Sequence, residues 1–211
     1  MRDVLGVFSL PRAILFPGAT LPLHVFEPRY RALVRDAMEL DRVLAMALLR
    51  PGYEPDYNGN PEIYPIGCAG RITEAVPLQD GRFLISLTGL QRIEFLEMTC
   101  SAPYRSHRVR YLGELAPHPE APAALHAMIR LVSARQQILA SMDGAAGMAP
   151  IPTDLPFAET VNRIALELDL EPAVKYRLLE NGDLLARAER LAAMLESALA
   201  DYLDLPDGSV N

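Results

Sequence analysis

Glu27-Pro28-Arg29-Tyr30 places an acid, a base and a phenol side by side, with His24 just upstream, and such a set invites general acid–base chemistry. A general base also needs a cleft and a partner, and helix-start chemistry explains the same residues differently. Pro28 has no amide proton to leave unsatisfied at a first helical position, and its φ is already helical. Glu27 before it sets a carboxylate at the positive end of the helix dipole, worth about 0.3–1 kcal/mol. Arg29 is suited to pair with a carboxylate or to cover carbonyl groups as a bidentate donor. The tag is therefore read as structural. A hydrolase using Glu27 or His24 is a lesser alternative and requires a deep polar cleft that holds them.

Other chemistries lack their residues. Lys175 is the only lysine, and "EPAVKYRLL" around it has neither the glycine-rich loop nor the following Ser or Thr of a phosphate-binding loop. A Ser-Lys nucleophile pair could draw only on Lys175, which sits in a predicted acidic helix, and no Gly-x-Ser-x-Gly elbow occurs. His24, His107, His118 and His126 lack His-Glu-x-x-His spacing, and Cys68 and Cys100 lack Cys-x-x-Cys spacing. Both cysteines read as small buried strand residues in a reducing cytosol. No metal, cofactor or enzymatic activity is expected.

Two stretches favour binding. "RPGYEPDYNGNPEIYP" (50–65) holds Tyr53, Tyr57 and Tyr64 among turn-forming residues. Tyrosine's apolar face and polar tip suit peptide contact, and loops of this length are often functional or disordered, so a mobile solvated loop is the first reading and peptide contact the second. "YRSHRVRY" (104–111) alternates Arg108 and Arg110 with Val109 and Tyr111, as a strand would, and is the one basic-aromatic footprint for RNA. Three arginines are few, and an exposed edge strand carries charge to prevent self-pairing. Of Met128, Met142, Met148 and Met194, most fall on apolar stripes and read as core rather than as an adaptable groove.

The elements that must hold these residues fall into two textures. Strand candidates run over 4–10, 43–49, 66–76, 82–87, 90–98 and 104–112, with Asp80-Gly81 as a two-residue turn and Thr88-Gly89 as a break. Between them, Tyr30, Leu33, Val34, Ala37 and Met38 share one face of a helix. Beyond the proline-rich "APHPEAPAA", helical periodicity takes over. Leu125, Met128, Ile129, Val132 and Leu139 form one stripe, and Phe157, Val161, Ile164, Ala165 and Leu168 a second, preceded by a loop (143–156) with cap candidates Thr153 and Asp154. A short helix over 172–180 is expected to stop at Asn181-Gly182 through a left-handed glycine. Asp183 caps a last helix with Leu184, Ala188, Leu191, Leu195 and Tyr202 inward. In residues 1–116, 13 arginines match 13 carboxylates, so the whole net charge of −7 lies in the C-terminal part, which a phosphate backbone would repel. No stretch reads as a membrane span or a secretory signal, and a cytoplasmic location is expected.

The N-terminal half resembles the substrate-recognition domain at the start of Lon proteases. The resemblance rests on "LFPG" (Leu15, Phe16, Pro17, Gly18), "LPL" (21–23), "VFEPRY" (Val25, Phe26, Glu27, Pro28, Arg29, Tyr30), "GCAGRI" with Gly67 and Arg71, "DGR" (80–82) and "LTGLQRI" with Gly89 and Arg92. These motifs come in family order at family-like spacing over about residues 5–112. The resemblance implies an α+β fold: a PUA-like partly closed β-barrel with one inserted helix over 1–115, then a helical bundle over 116–211. It implies a bacterial, ATP-independent, stand-alone recognition module lacking the ATPase and peptidase domains. The partners implied are unfolded or extended protein segments, with a protease or chaperone system beside them. PUA-like folds also bind RNA, which makes RNA binding the alternative function, although nucleic acid and membrane are not the expected partners. The sequence leaves the oligomeric state open.

Overall fold

The structure, a computed structural model, describes residues 2–115, 123, 126, 127, 129, 130, 152 and 154–203, with side chains to 197. Contacts group the chain into two compact units, residues 1–114 with 169–182 and residues 115–168 with 183–211. The first unit holds strands β1 (Val4–Leu10), β2 (Thr20–Val25), β3 (Val43–Leu48), β4 (Ile66–Pro77), β5 (Phe83–Cys100) and β6 (Ser106–Tyr111). Helix α1 (Pro28–Glu39) lies between β2 and β3. The sheet order is β2-β5-β4-β3-β1-β6, and β6 also pairs with β5. The pairings therefore close a ring β1-β3-β4-β5-β6, with β2 outside it on the first half of β5. This is the α+β, barrel-plus-helix class expected from the sequence.

Two cores follow from the ring. Its lumen takes Leu5 and Val7 from β1, Val43, Ala45 and Ala47 from β3, Ala69 from β4, Ile93 and Phe95 from β5 and Val109 from β6. So few strands enclose little room, which is why alanines fill it beside one aromatic ring. A Cβ on Gly67 would stand 2.6 Å from the Phe95 ring. The second core sits under α1, where Tyr30, Leu33, Val34 and Ala37 meet Phe8, Leu44, Met46, Ile72, Ile85 and Leu87. Strands β1 and β3 pair in parallel and β3 is buried along its whole length, because it faces both cores.

Two sequence breaks turn out to be something else. Thr88-Gly89 does not end a strand; β5 runs through it for 18 residues. The register shifts there, Gly70 facing Gly89 while Ala69 faces Gln91. That bulge exchanges the strand's faces, so Ile85 and Leu87 join the α1 core while Ile93 and Phe95 fill the lumen. Asp80-Gly81 lies in a wider loop, 78–82, closed by the Leu78 amide on the Arg82 carbonyl at 2.8 Å, with Gly81 at φ +79°. Of the two cysteines, Cys68 is buried as expected and Cys100, at the far end of β5, is exposed.

Within the first unit the chain also contributes helix α3 (Pro172–Glu180). Its C-terminus is held differently from the sequence expectation. Gly182 is not left-handed; instead Arg92, buried on β5, donates Nε to the Leu179 carbonyl at 2.6 Å and a terminal nitrogen to Glu180's at 2.5 Å. A Cβ at Gly182 would lie 2.8 Å from that guanidinium. Beside a division at 115/116, the first unit ends at Glu114 and also takes in residues 169–182, which Arg92 and a Tyr64–Tyr176 stack bind to the barrel. In the second unit α2 (Phe157–Glu167) packs on α4 (Leu184–Leu203) through Val161, Ile164, Ala165, Leu184, Ala188, Leu191 and Leu195. Asp183 caps α4 by accepting from the Leu185 and Ala186 amides at 2.9 and 3.2 Å. Pro156, not Thr153 or Asp154, occupies the N-cap of α2. Ile129 is buried; the rest of its stripe (Leu125, Met128, Val132, Leu139), His118, Met142, Met148, Thr153 and most of the 143–156 loop lie outside the described residues, as does the Tyr202 side chain.

Candidate functional site

The acid, base and phenol of the opening tag meet, but as a lock. The Glu27 carboxylate caps no amide of α1. Its two oxygens accept from Arg29 Nε and from the Tyr57 hydroxyl, each at 2.9 Å. Arg29 also donates to the Tyr57 carbonyl at 2.9 Å and lies over both the Tyr30 and Tyr57 rings. Tyr30 stacks on Phe8 with centroids 4.0 Å apart and donates to the Ser9 carbonyl at 2.6 Å. Burial and the Glu27 carboxylate push the Tyr57 phenol up to about 12, and burial raises Tyr30. A phenol held more firmly protonated is a strut rather than a base. Glu27 does stand at the N-cap of α1, but a guanidinium and a hydroxyl, not helix amides, satisfy its oxygens.

The remaining loop tyrosines are also engaged. Tyr53 tilts against Tyr57, with centroids 5.9 Å apart. Tyr64 stacks on Tyr176 at 4.1 Å, under the Arg50 guanidinium. The other family-motif residues build the seam around Gly89: Pro17 bridges to it, Gly18 at φ +73° donates to its carbonyl at 2.9 Å, and its amide donates to Ala19. Phe16 is fully buried. Arg71 and Phe26, in contrast, are exposed.

The basic-aromatic strand does not offer a cationic edge. β6 is paired on both sides, to β1 and to β5. Arg108 bonds Glu97 at 2.7 Å and Asp3 at 3.0 Å, Arg110 pairs with Glu94, and Arg105 is buried with a hydrogen bond to the Pro61 carbonyl. The edge-strand expectation fails because β5 is long enough to reach round the barrel and cover β6.

A different face is left open. Over 83–88, β5 lies between β2 and β4, with Thr20, Pro22 and His24 opposite Thr88, Ser86 and Leu84. On the other side Glu74 and Val76 stand opposite Ser86 and Leu84. The β4–β5 register slips between Ile72 and Glu74, leaving Thr73 as an extra residue. Ile72 points into the α1 core, so strict alternation would send Glu74 and Val76 inward as well. The bulge turns both outward, and the burial pattern records two successive exposed residues there. The outer face therefore carries three rows across the strands. Hydroxyls and Arg71 come first, with Thr88 bonded to Thr20 and Thr73; next come Pro22, Ser86 and Glu74; last come His24, Leu84 and Val76. Phe26 follows on the same side, its ring centroid 5.8 Å from that of His24. Val76, Leu84 and Phe26 are each about half exposed. Pro22, Leu23, His24, Glu74, Val76 and Leu84, with Ile85 and Ser86, line an open depression of about 410 Å³.

β2 is also the sheet edge. The Gly89 amide bonds the Ala19 carbonyl, so by antiparallel alternation Thr20, Pro22 and His24 turn their backbone groups away from β5. Proline is tolerated there because its missing amide proton would have faced outward. It also blunts the edge against an added strand. His24 thus lines the depression, while Glu27 is held by Arg29 and Tyr57 and is not among its lining residues. No sequence signal singled out Val76, Leu84 or Glu74; the only hint was an irregular alternation in "RITEAV". Among the described residues no cluster of three or more His, Cys, Asp or Glu could hold a metal, and no helix is long and apolar enough to cross a membrane.

A ring-closed small barrel with one helix over its flank and an open strand face defines a fold class, and comparison with known proteins makes it specific. The chain belongs to the family of ATP-dependent protease La (LON) substrate-binding domains, whose model matches residues 4–197. It is 31% identical over 107 residues to Lon protease 2 of Myxococcus xanthus, covering 51% of this chain and 13% of that protein. It is 25% identical over 210 residues to Lon protease 2 of Herpetosiphon aurantiacus, covering 95% of this chain and 24% of that one. The chain thus spans about a quarter or less of the length of these relatives. Its fold matches a Lon N-terminal domain protein from Xanthomonas campestris, with TM-score 0.63 and 23% identity over 90% of this chain and 97% of that one. It also matches the N-terminal domain of the Mycobacterium avium complex Lon protease, with TM-score 0.67 and 19% identity over 92% and 98%.

Proposed function

We propose that this chain is a non-enzymatic, ATP-independent protein-binding module of the bacterial cytoplasm. It captures unfolded or extended segments of client proteins and serves as an adaptor to a Lon-type protease or a chaperone system. The observation that carries this reading is the outer face of β2-β5-β4, where a bulge turns Val76 outward beside Leu84 instead of into the core. Exposed apolar side chains gathered beside a depression cost solubility and are retained where something covers them. The loop residues Tyr53, Tyr57 and Tyr64 are lesser candidates, since Glu27 and Tyr176 already hold two of them. RNA binding has little support, because Arg108 and Arg110 are neutralised by carboxylates.

Anisotropy of labelled, unstructured apolar peptides titrated with the full chain tests the reading. Leu84→Asp and Val76→Asp should each weaken binding by about tenfold or more, given the apolar area they remove from contact. Their unfolding midpoints should stay near that of the parent. Equal affinity in both variants would move the site elsewhere. Failure to bind any extended segment, with no effect on aggregation of a model client, would remove the function.

A further inference from the structure

The outer face is not uniformly apolar, and its polar groups occupy fixed rows. Glu74 stands on the row next to Val76 and Leu84, and Ser86 donates to one of its oxygens at 2.9 Å. That bond holds one oxygen of an exposed carboxylate, and the second has no hydrogen-bond partner among the described residues. Arg71 lies one row further, opposite Thr88. Neither Glu74 nor Arg71 is in an ion pair among the described residues. Every other acidic or basic group on β5 beyond Gly89 is matched: Arg92 by carbonyls, Glu94 by Arg110 and Glu97 by Arg108.

Successive rows on one face of a strand are two residues apart, about 7 Å. An extended segment lying along β5 repeats its own side chains on one face at the same interval. Rows and side chains therefore match one to one, in either direction of the segment.

Resting on the capture reading above, we infer that this face selects extended client segments in which a basic side chain stands two residues from a large apolar one, the apolar group against Val76 and Leu84 and the basic group on Glu74. A basic side chain four residues from the apolar one falls on Arg71 and is repelled. The selection depends on position and not on net charge. The Thr73 bulge is what makes it possible, since it turns Glu74 and Val76 together onto the outer face, beside Ser86 and Leu84 and one row from Arg71, instead of into the core.

Two labelled peptides of identical composition test this on the full chain. Both centre on a leucine in a Gly/Ser background; one has arginines two residues to either side, the other four residues to either side. The first should bind roughly threefold to fivefold more tightly, as a partly exposed ion pair allows, and the ratio should shrink with added salt. Glu74→Gln should abolish the difference and Glu74→Lys should reverse it. Because Glu74 is exposed, neither variant should alter the unfolding midpoint. Equal affinities, or a ratio that survives Glu74→Lys, would overturn the positional code while leaving capture intact. If neither peptide binds and Leu84→Asp changes nothing, the capture reading falls and the code with it.

Discussion

The two halves of β5 are built from similar residues and are used in opposite ways. Over Phe83–Thr88 the strand carries Leu84 and Ser86 on an open face, next to Glu74, with no cation placed on that carboxylate. Beyond Glu94 the same strand closes the barrel against β6, and each carboxylate meets an arginine across the seam. Charges that close a ring are neutralised by their neighbour strand. A charge left unmatched beside half-exposed apolar groups is where an outside partner finds something to bind. The division falls at Gly89, where the register slips and the strand's faces exchange.

The largest effect should come from breaking that division. A Cβ on Gly89 would lie 2.1 Å from the Phe16 carbonyl oxygen and 2.7 Å from its carbon, both backbone atoms that cannot turn aside. Gly89→Ala should therefore destabilise the chain by about 3 kcal/mol or more, through overpacking against main chain. Gly113→Ala, where a Cβ meets nothing within 4 Å, is the control and should stay within about 0.5 kcal/mol of the parent. Urea denaturation of both reads the contrast, and similar midpoints would show that the slip does not need glycine.

The same residue shows what the sequence makes legible. Period-two apolar runs locate five strands, and the stripe from Tyr30 to Met38 locates α1, because burial on one face is a local signal. Gly89 is visible as punctuation, but a glycine inside a strand marks a bulge as readily as an end, and only the partner strand decides between them. β2 is unrecognised as a strand because Pro22 argues against one, and its place at an edge is a tertiary fact. The Arg92 clamp on α3 joins residues far apart in the chain, so "LTGLQRI" gives no hint of it. The outer face is the least legible of all, since it exists only where a one-residue bulge in β4 meets the first half of β5.

A smaller effect should separate the halves by pH. His107 pairs with Met98 across the closing seam and is buried edge-on to Phe95. Neither ring nitrogen has a hydrogen-bond partner among the described residues. Burial holds its pKa below the usual 6.5; the Leu96 backbone opposes that shift, and the Arg105 cation adds a smaller push in the same direction as burial. The unfolded chain therefore binds a proton that the folded chain refuses. Stability contributed by neutral His107 is complete above about pH 6.5 and is lost as pH falls through the folded-state value. His107→Gln should flatten this part of the pH profile, and hydrogen exchange should show the β5–β6 seam opening first in acid while Phe83–Thr88 keeps its protection. An unchanged profile would mean that the ring stays neutral in both states or finds water.

The smallest effects distinguish the halves most sharply, because they concern function without stability. Arg110 and Glu94 form an ion pair at the surface of the seam, with the arginine 64% exposed. Exposed pairs are worth at most about 1 kcal/mol and less in salt, so Arg110→Gln should lower stability only slightly and leave peptide affinity unchanged. Glu74→Gln should cost as little stability, since its one recorded bond is to the Ser86 hydroxyl, yet it should erase the preference for a basic side chain two residues from an apolar one. The two variants remove charges from the same sheet at similar exposure. If both are silent in binding, the open half of β5 is as inert as the closed one. If Arg110→Gln also shifts affinity, the partner reaches across Gly89 and the recognition face is longer than its three rows.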